Sequence, residues 1–259
     1  MDTVLEYMLI ASTTFVASFI SFYSGFGLAT LLMPVIAIFL PLPLAIAVTA
    51  AVHLLHNILK SALLWKYVTW KVVRQFGSTA ILTAVFGALL LKELSELPTL
   101  KEYSILGLQG TISWLHLLIG LLLIAFATIE ALGVKKIQIH NLYLGGALGG
   151  FLGGLSGNQG ALRSLFLLHA NLNAESFIAT NAAIAVVVDA TRLFVYGISF
   201  HQLIQSASIS LIATCMASSI CGIILGMSFL KKIDLHFVQK IIITLLYIFG
   251  ILFVLGLIL

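Results

Sequence analysis

The sequence predicts an all-α polytopic membrane protein built from two inverted repeats, each a broken helical hairpin followed by three transmembrane helices. Three observations support this prediction: an apolar composition, a match of the chain to itself at one offset, and a split of loop charge. Of the 259 residues, 61% are hydrophobic and 8% are charged, whereas about 25% of the residues of soluble domains are charged. Water is therefore not the solvent of this chain.

Seven apolar runs approach the length of about 20 residues that a helix needs to cross the hydrocarbon layer. They cover roughly residues 4–23, 44–64, 75–91, 114–132, 175–195, 203–227 and 237–258. The longest polar interval, from Lys92 to Ser113, is itself broken by Leu and Ile, so no soluble catalytic module fits between the spans. The first run lacks a basic flank and a cleavage pattern, and we interpret it as a structural helix, not a signal peptide.

The chain matches itself when it is shifted by 132 positions, as an internal repeat would. Ser24-Gly25-Phe26-Gly27 falls on Ser156-Gly157-Asn158-Gln159. Upstream, small residues spaced four apart coincide: Thr13, Ala17, Ser21 and Gly25 fall on Gly145, Gly149, Gly153 and Gly157. Downstream, polar residues coincide: Thr49, Asn57 and Lys60 fall on Asn181, Asp189 and Arg192. The sequence therefore predicts a first repeat in residues 1–132 and a second in residues 133–259.

Each repeat begins with a predicted hairpin of two helices. A span-length helix is followed by a short loop and an apolar segment, 28–40 or 160–170, that is too short to span comfortably. Such segments at corresponding positions of two halves indicate discontinuous helices that meet near the midplane. We therefore expect the two hairpin tips to lie opposite each other, at 25–27 and 157–160.

Loop charge predicts how the repeats are inserted. The basic loops fall on one face of the membrane, with Lys66, Lys71, Arg74, Lys135, Lys136, Lys231 and Lys232. The acidic residues fall on the opposite face, with Asp2, Glu6, Glu93, Glu96 and Glu102 beside Lys92 and Lys101. By the positive-inside rule, the basic loops are cytoplasmic and both termini lie outside. We expect a multi-pass protein of the cell (plasma or inner) membrane whose halves are inverted relative to each other.

A polar stripe runs along the predicted span 44–64. It consists of Thr49, His53, His56, Asn57 and Lys60, which share one side of a helix. The second repeat carries its own stripe, with Asn181, Asp189 and Arg192. A charge at the centre of a spanning helix costs about 2.5 to 3.5 kcal/mol, so such residues normally face protein or a cavity. Two interpretations stay open: Lys60 and Arg192 snorkel to the interface, or the stripes face each other and line a pathway.

The second hairpin tip predicts a cradle for an oxyanion, without a metal. Arg163 lies on the short segment after the tip, and its guanidinium is a planar fork of donors suited to oxyanions. The start of the half-helix offers free backbone N–H groups, and Gly157 lets a ligand approach the backbone. Asn158 and Gln159 add neutral donors. Alternatively, Arg163 pairs with Asp189 or with backbone carbonyls and only fastens the halves together.

Other features of the sequence exclude functions. The glycine-rich string at 145–154 lacks the ending of a nucleotide-binding loop, and its spacing is typical of helices that pack closely. The net charge of +4 comes from short loops, so we expect no nucleic acid as a partner. Cys215 and Cys221 lie on different faces of one helix, and we interpret them as packing residues.

The motifs also resemble those of a known family. The first half contains S-G-F-G followed by Pro34, and the second contains G-G-F-L-G-G-L-S-G-N-Q-G-A-L-R. These motifs, over nearly the whole chain, resemble the TauE/SafE family of sulfite and organosulfonate exporters. The sequence departs from the family pattern at Phe26, Leu28 and Asn158-Gln159. It also has Phe166 at the position where the family pattern has a second Pro. The resemblance implies transport of a small sulfur-containing anion such as sulfite, a sulfonate or thiosulfate.

The leading hypothesis is a secondary transporter, in the export direction, that binds its anion at the midplane between the repeats. In this hypothesis the anion is attracted by Arg163, Arg192 and Lys60. It is oriented by Asn158, Gln159, Asn57 and Asn181. It can approach the backbone at three positions without a side chain, Gly25, Gly27 and Gly157. Asp189, His53 and His56 are candidates for a coupled proton. No cofactor is predicted.

Two other functions stay open. One is an intramembrane enzyme that uses His53 or His56 as a base or a metal ligand. The other is a passive anion channel. The sequence also leaves the oligomeric state open, with a homodimer among the options.

Overall fold

The structure is a computed structural model that describes residues 3–24, 27–105, 108–132, 141–199, 209–228 and 235–258. These ranges contain ten α-helices and one β-hairpin. The helices before residue 133 are α1 (Thr3–Ser24), α2 (Leu28–Ala37), α3 (Leu42–Leu63), α4 (Trp70–Glu96) and α5 (Trp114–Leu132). The later helices are α6 (Leu142–Ser156), α7 (Gly160–Leu167), α8 (Ala174–Ser199), α9 (Ile209–Ser228) and α10 (Leu235–Val254).

The predicted fold class is confirmed. Within the described ranges, six helices are long and apolar enough to cross a membrane, namely α1, α3, α4, α5, α8 and α9. The seventh predicted run, 237–258, contains most of α10. Helix α4 extends beyond the predicted run 75–91 at both ends, because its first and last turns carry polar residues that a hydropathy criterion rejects.

A β-hairpin between α4 and α5 was missed by the sequence analysis. Strand β1 (Lys101–Ile105) pairs antiparallel with β2 (Leu108–Ile112), and Lys101 lies opposite Ile112. The hairpin is anchored to the end of α10, since the Thr111 N–H donates to the Gly256 carbonyl at 2.8 Å and the Tyr103 hydroxyl donates to the Leu255 carbonyl. These long-range contacts have no signature in the local sequence.

The two predicted broken hairpins correspond to α1–α2 and α6–α7. The second helix of each hairpin is short, with 10 residues in α2 and 8 in α7. A glycine in a left-handed backbone conformation interrupts each hairpin: Gly27 has φ 114° and Gly157 has φ 76°. This conformation is costly for a residue with a Cβ. Gly25 and Phe26, which were predicted at the first tip, lie outside the described residues.

Each hairpin packs on a helix from the other half of the chain. The first helix of the second hairpin, α6, packs on α4, and the first helix of the first hairpin, α1, packs on α9. Helix α3 also contacts α8, and α5 contacts α10. Exchanging the two halves of the chain converts the α4–α6 pair into the α1–α9 pair and leaves the α3–α8 and α5–α10 pairs unchanged. This pattern supports two related repeats, whose inverted orientation stays a prediction.

The contact between α4 and α6 depends on a row of glycines. A Cβ on Gly146, Gly150 or Gly154 would lie 2.0 to 2.3 Å from a carbonyl oxygen of α4, at Phe76, Ala80 and Ala84 respectively. The paired residue numbers increase together, so the two helices run parallel and begin at the same end. The other row, with Gly145 and Gly153, faces Phe166 and Gln159 of its own hairpin. The interpretation of the glycine string as a packing seam is therefore confirmed.

Helices α1 and α9 also run parallel. The Tyr7 hydroxyl lies 2.7 Å from Ser210 Oγ, and further along the pair Ser18 Oγ donates to Ser219 Oγ at 2.9 Å. A Cβ on Gly222 would lie 2.6 Å from the Phe15 carbonyl oxygen. Small residues thus bring the backbones of this pair together as well.

We predict that Gly150→Ala destabilises the protein, because its new Cβ would lie 2.3 Å from the Ala80 carbonyl oxygen and force the helices apart. Overpacking of this kind costs about 1–3 kcal/mol. The control is Gly197→Ala on α8, where a Cβ meets no heavy atom within 4 Å. Thermal unfolding in detergent should show a lower melting temperature for Gly150→Ala alone, and equal melting temperatures of the two variants would contradict the prediction.

Candidate functional site

Buried charges mark the candidate site. In the described part of the chain five charged side chains are buried, and four of them lie on α3, α7 and α8. These four are Lys60, Arg163, Asp189 and Arg192, each at most 1% exposed. Helix α8 contacts both α3 and α7, so the two predicted polar stripes lie side by side within the protein. Charges so deeply buried need partners or a ligand.

Asp189 is the centre of this cluster. Its Oδ2 lies 2.6 Å from Nδ1 of His53 on α3. Its Oδ1 accepts a hydrogen bond from Nε of Arg192 at 2.9 Å, and Nη2 of Arg192 lies 2.8 Å from the same oxygen. The carboxylate therefore links a helix of each half and also neutralises one arginine.

Lys60 and Arg192, which were expected either to snorkel or to line a pathway, both contact other groups of the protein. Lys60 Nζ donates to the Ser21 carbonyl at 2.7 Å and lies 5.4 Å from the centre of the Phe22 ring. Arg192 reaches the second hairpin tip, since a Cβ on Gly157 would lie 2.2 Å from Nη1. The absence of a side chain at Gly157 thus makes room for a guanidinium.

Arg163 is held by an amide. Its Nε donates to Oδ1 of Asn181, and Nδ2 of Asn181 donates to Ser164 Oγ at 3.2 Å. The predicted alternative, an ion pair of Arg163 with Asp189, is not found within 4.0 Å among the described residues. Arg163 Nη1 has no hydrogen-bond partner in these ranges. Arg163 lies close enough to Asp189, Arg192 and Lys60 for their charges to interact.

The tip of the second hairpin holds further buried polar groups. Asn158 is 3% exposed and Gln159 is fully buried. Neither side-chain amide has a hydrogen-bond partner within the described ranges, on its oxygen or on its nitrogen. An unpaired polar group costs about 1–3 kcal/mol when buried. The tip is therefore suited to a polar ligand or to water.

Other residues predicted for the site lie elsewhere or bond locally. Asn57 Nδ2 donates to the His53 carbonyl of its own helix at 2.8 Å. His56 Nδ1 lies 3.0 Å from Ser219 Oγ on α9, so it faces a different neighbour from His53. Gly27 lies at the start of α2, and a Cβ there would contact Ile20 and Ile242. Gly25 is outside the described residues.

The sequence analysis missed Tyr196. This side chain is fully buried on α8, and its hydroxyl donates to the Gly154 carbonyl of the second hairpin. It lies four residues after Arg192 and seven after Asp189, on the same side of the helix. A search that extended the polar stripe to aromatic hydroxyls would have found it.

No group of three or more His, Cys, Asp or Glu side chains in the described ranges is placed to hold a metal ion. His53 and His56 bond to different helices through Asp189 and Ser219. Cys215 is buried, Cys221 is exposed, and both are free thiols.

Comparison with protein families gives one match. The family model described as sulfite exporter TauE/SafE matches residues 10–253, which is nearly the whole chain. No curated protein and no solved structure matches the chain significantly.

We predict that Asp189→Asn lowers the free energy of unfolding by about 3–5 kcal/mol, because it removes the counter-charge of buried Arg192. The control is Glu175→Gln, which changes an exposed carboxylate in the first turn of the same helix. Thermal or denaturant unfolding in detergent measures the difference. An Asp189→Asn protein as stable as the control would contradict the role given to this carboxylate.

Proposed function

The chain belongs to the sulfite exporter TauE/SafE family, and from this premise we propose that it exports a small sulfur-containing oxyanion as a secondary transporter. Sulfite, sulfonates and thiosulfate are the candidate substrates. The observation that supports the proposal is the set of unpartnered buried donors on Arg163, Asn158 and Gln159. They stand within one hairpin of a multi-pass membrane protein, where few polar groups are tolerated without a function.

The charge of the cluster favours an anion as ligand. Three cations, Lys60, Arg163 and Arg192, are buried with one carboxylate, Asp189. An ion that is buried without a counter-ion costs several kcal/mol. A bound oxyanion offsets this cost, whereas a cation would increase it. A neutral ligand would leave the excess positive charge uncompensated.

The donors have different roles in this proposal. Asn181 fixes the Nε edge of Arg163, which leaves Nη1 to bind an anion oxygen. The amides of Asn158 and Gln159 bind further oxygens, and Arg192 places positive charge against the tip at Gly157. Lys60 attracts the anion at longer range. Asn57 is bonded within its own helix, and we assign it a supporting role.

The contact between His53 and Asp189 is a candidate for the conformational step. It joins α3 to α8 across 2.6 Å, so a proton placed on either side chain changes the strength of the link between the two halves. We propose that the halves move relative to each other when this contact breaks. Either partner is then a candidate to exchange a proton with the pathway.

Two measurements separate this function from its alternatives. A transporter shows slow, saturable anion flux in proteoliposomes, whereas a passive channel shows single-channel currents. Stoichiometric zinc or iron in the purified protein would favour an intramembrane enzyme that uses His53 or His56. Thermal-shift screening with sulfite, thiosulfate, taurine, sulfoacetate and sulfate identifies the preferred anion.

We predict that Arg163→Ala reduces saturable anion uptake into proteoliposomes by about tenfold to a hundredfold, because a hydrogen bond to a charged group contributes about 1.5–3 kcal/mol. Arg163→Lys keeps the charge but loses the fork of donors, so its activity should be intermediate. The control is Arg74→Ala, which removes an exposed arginine on α4. Uptake that persists unchanged in both Arg163→Ala and Arg192→Ala would refute the site.

We also propose that the basic loops face the cytoplasm and that both termini lie outside. The parallel packing of α4 on α6 supports this, since it places the loops before Trp70 and before Leu142 at the same end of the molecule. In a variant without native cysteines, Glu102→Cys should react with an impermeant thiol reagent on intact cells. Lys71→Cys should react only after the cells are opened. The reverse pattern would invert the proposed orientation.

A further inference from the structure

A small cavity lies where the two hairpin tips meet α5 and α10. It is lined by Thr30, Phe126, Glu130, Asn158, Ala161 and Leu246, and its volume is about 10 Å³, which is about the space of one water molecule. Thr30 lies in the first turn of α2, whereas Asn158 and Ala161 belong to the second tip. The cavity therefore joins both halves of the chain at the level of the tips.

The cavity contains the fifth buried charged residue, Glu130. It lies on α5 and is 5% exposed. Its Oε1 accepts a hydrogen bond from Nε2 of Gln239 on α10. The groups that face it from the second tip and from α2 are Asn158 and Thr30, which are neutral. No ion pair of Glu130 is found within 4.0 Å among the described residues; Lys135, Lys136, Lys231 and Lys232 lie outside those residues.

Glu130 and Asp189 are thus buried carboxyls in opposite surroundings. Asp189 lies between His53 and Arg192, which stabilise its negative charge. Among the described residues, the hydrogen-bond partner of Glu130 is the amide of Gln239. A carboxylate buried without a cation is strongly disfavoured, and the group takes up a proton instead. Of the two, Glu130 is the one whose surroundings accept a proton without breaking an ion pair.

Asn158 connects this carboxyl to the proposed anion site. Both polar atoms of its amide are buried without a partner in the described ranges, and the residue lines the cavity. One water molecule in the cavity would have Glu130, Thr30 and Asn158 as hydrogen-bonding neighbours. The site therefore has a polar route from the tip to a titratable group that the anion cradle does not use.

We propose that Glu130, and not His53 or Asp189, is the proton-binding residue that couples anion transport to proton movement. This inference rests on the proposed function. The step is a simple protonation: the carboxylate takes one proton on the side on which the anion binds, forms the carboxylic acid, and releases the proton on the side on which the anion leaves, with no other bond changed. An anion at the tip repels a carboxylate but not a carboxylic acid, so anion and proton bind together and move in the same direction.

The test uses two assays of the full-length protein in proteoliposomes, with the membrane potential clamped at zero and labelled thiosulfate as probe. Counterflow measures anion exchange without a gradient. Accumulation driven by a pH gradient measures coupling, and one proton per anion predicts about tenfold accumulation for one pH unit. Glu130→Gln should retain counterflow and lose accumulation, because its amide can still accept from Gln239 but cannot release a proton.

Two variants make the test specific. Glu130→Asp keeps a carboxyl and should retain accumulation driven by the pH gradient. Glu93→Gln, which changes an exposed carboxylate on α4, should behave as the wild type in both assays. In weakly buffered detergent solution at a pH at which Glu130 is ionised without the anion, the wild type should take up about one proton for each thiosulfate bound, and Glu130→Gln should take up none.

The outcomes separate this inference from the proposed function. Full accumulation by Glu130→Gln overturns the inference and leaves the proposed function intact. Loss of counterflow together with accumulation in Glu130→Gln also overturns it, since the residue is then required for the fold or for the anion. Absence of thiosulfate counterflow in the wild type, together with absence of sulfite and sulfonate counterflow, overturns the proposed function and the inference with it.

Discussion

The carboxylate of Asp189 is the interaction on which the rest of the site depends. It places one negative charge among three buried cations. One of its oxygens contacts His53 on α3, and the other contacts Arg192 on its own helix. Arg192 is thereby directed against the tip at Gly157. Without this carboxylate the excess of buried positive charge would grow, and the membrane interior offers no water to screen it. One buried ion pair therefore determines where the guanidinium of Arg192 points.

The hairpin tip adds a second constraint, because its polar groups are not all satisfied by the described residues. Asn181 occupies one edge of Arg163, and the amides of Asn158 and Gln159 bond to nothing in the described ranges. A fold that leaves such groups unpaired loses stability. A binding site gains from them, since a ligand that completes these bonds is favoured over water and lipid. Instability at the tip and affinity for an anion are then two results of the same arrangement.

Much of this architecture could be predicted from the sequence, because the relevant signals are local. Hydropathy located the spans, and the helical spacing of His53 and Asn57 placed them on one stripe. The match at one offset identified the two tips. Tyr196 continues the stripe of Asp189 and Arg192, but it was missed because the stripe was followed through charged and amide side chains alone. Glu130 was missed because a single polar residue in an apolar run has no periodicity, and its role depends on residues from other helices. The β-hairpin at 101–112 was missed for a similar reason, since its anchoring partner lies at residues 255–256.

Each hairpin packs on a helix of the other half of the chain, and this determines when its contacts can form during synthesis. Helix α6 enters the membrane after its partner α4 has already been made, and the row of glycines can engage at once. Helix α1 is made first, yet its partner α9 follows only after residue 208. The first hairpin must therefore persist in the bilayer with its small-residue face uncovered while most of the chain is translated. The N-terminal hairpin is thus the part of the chain that waits longest for its packing partner.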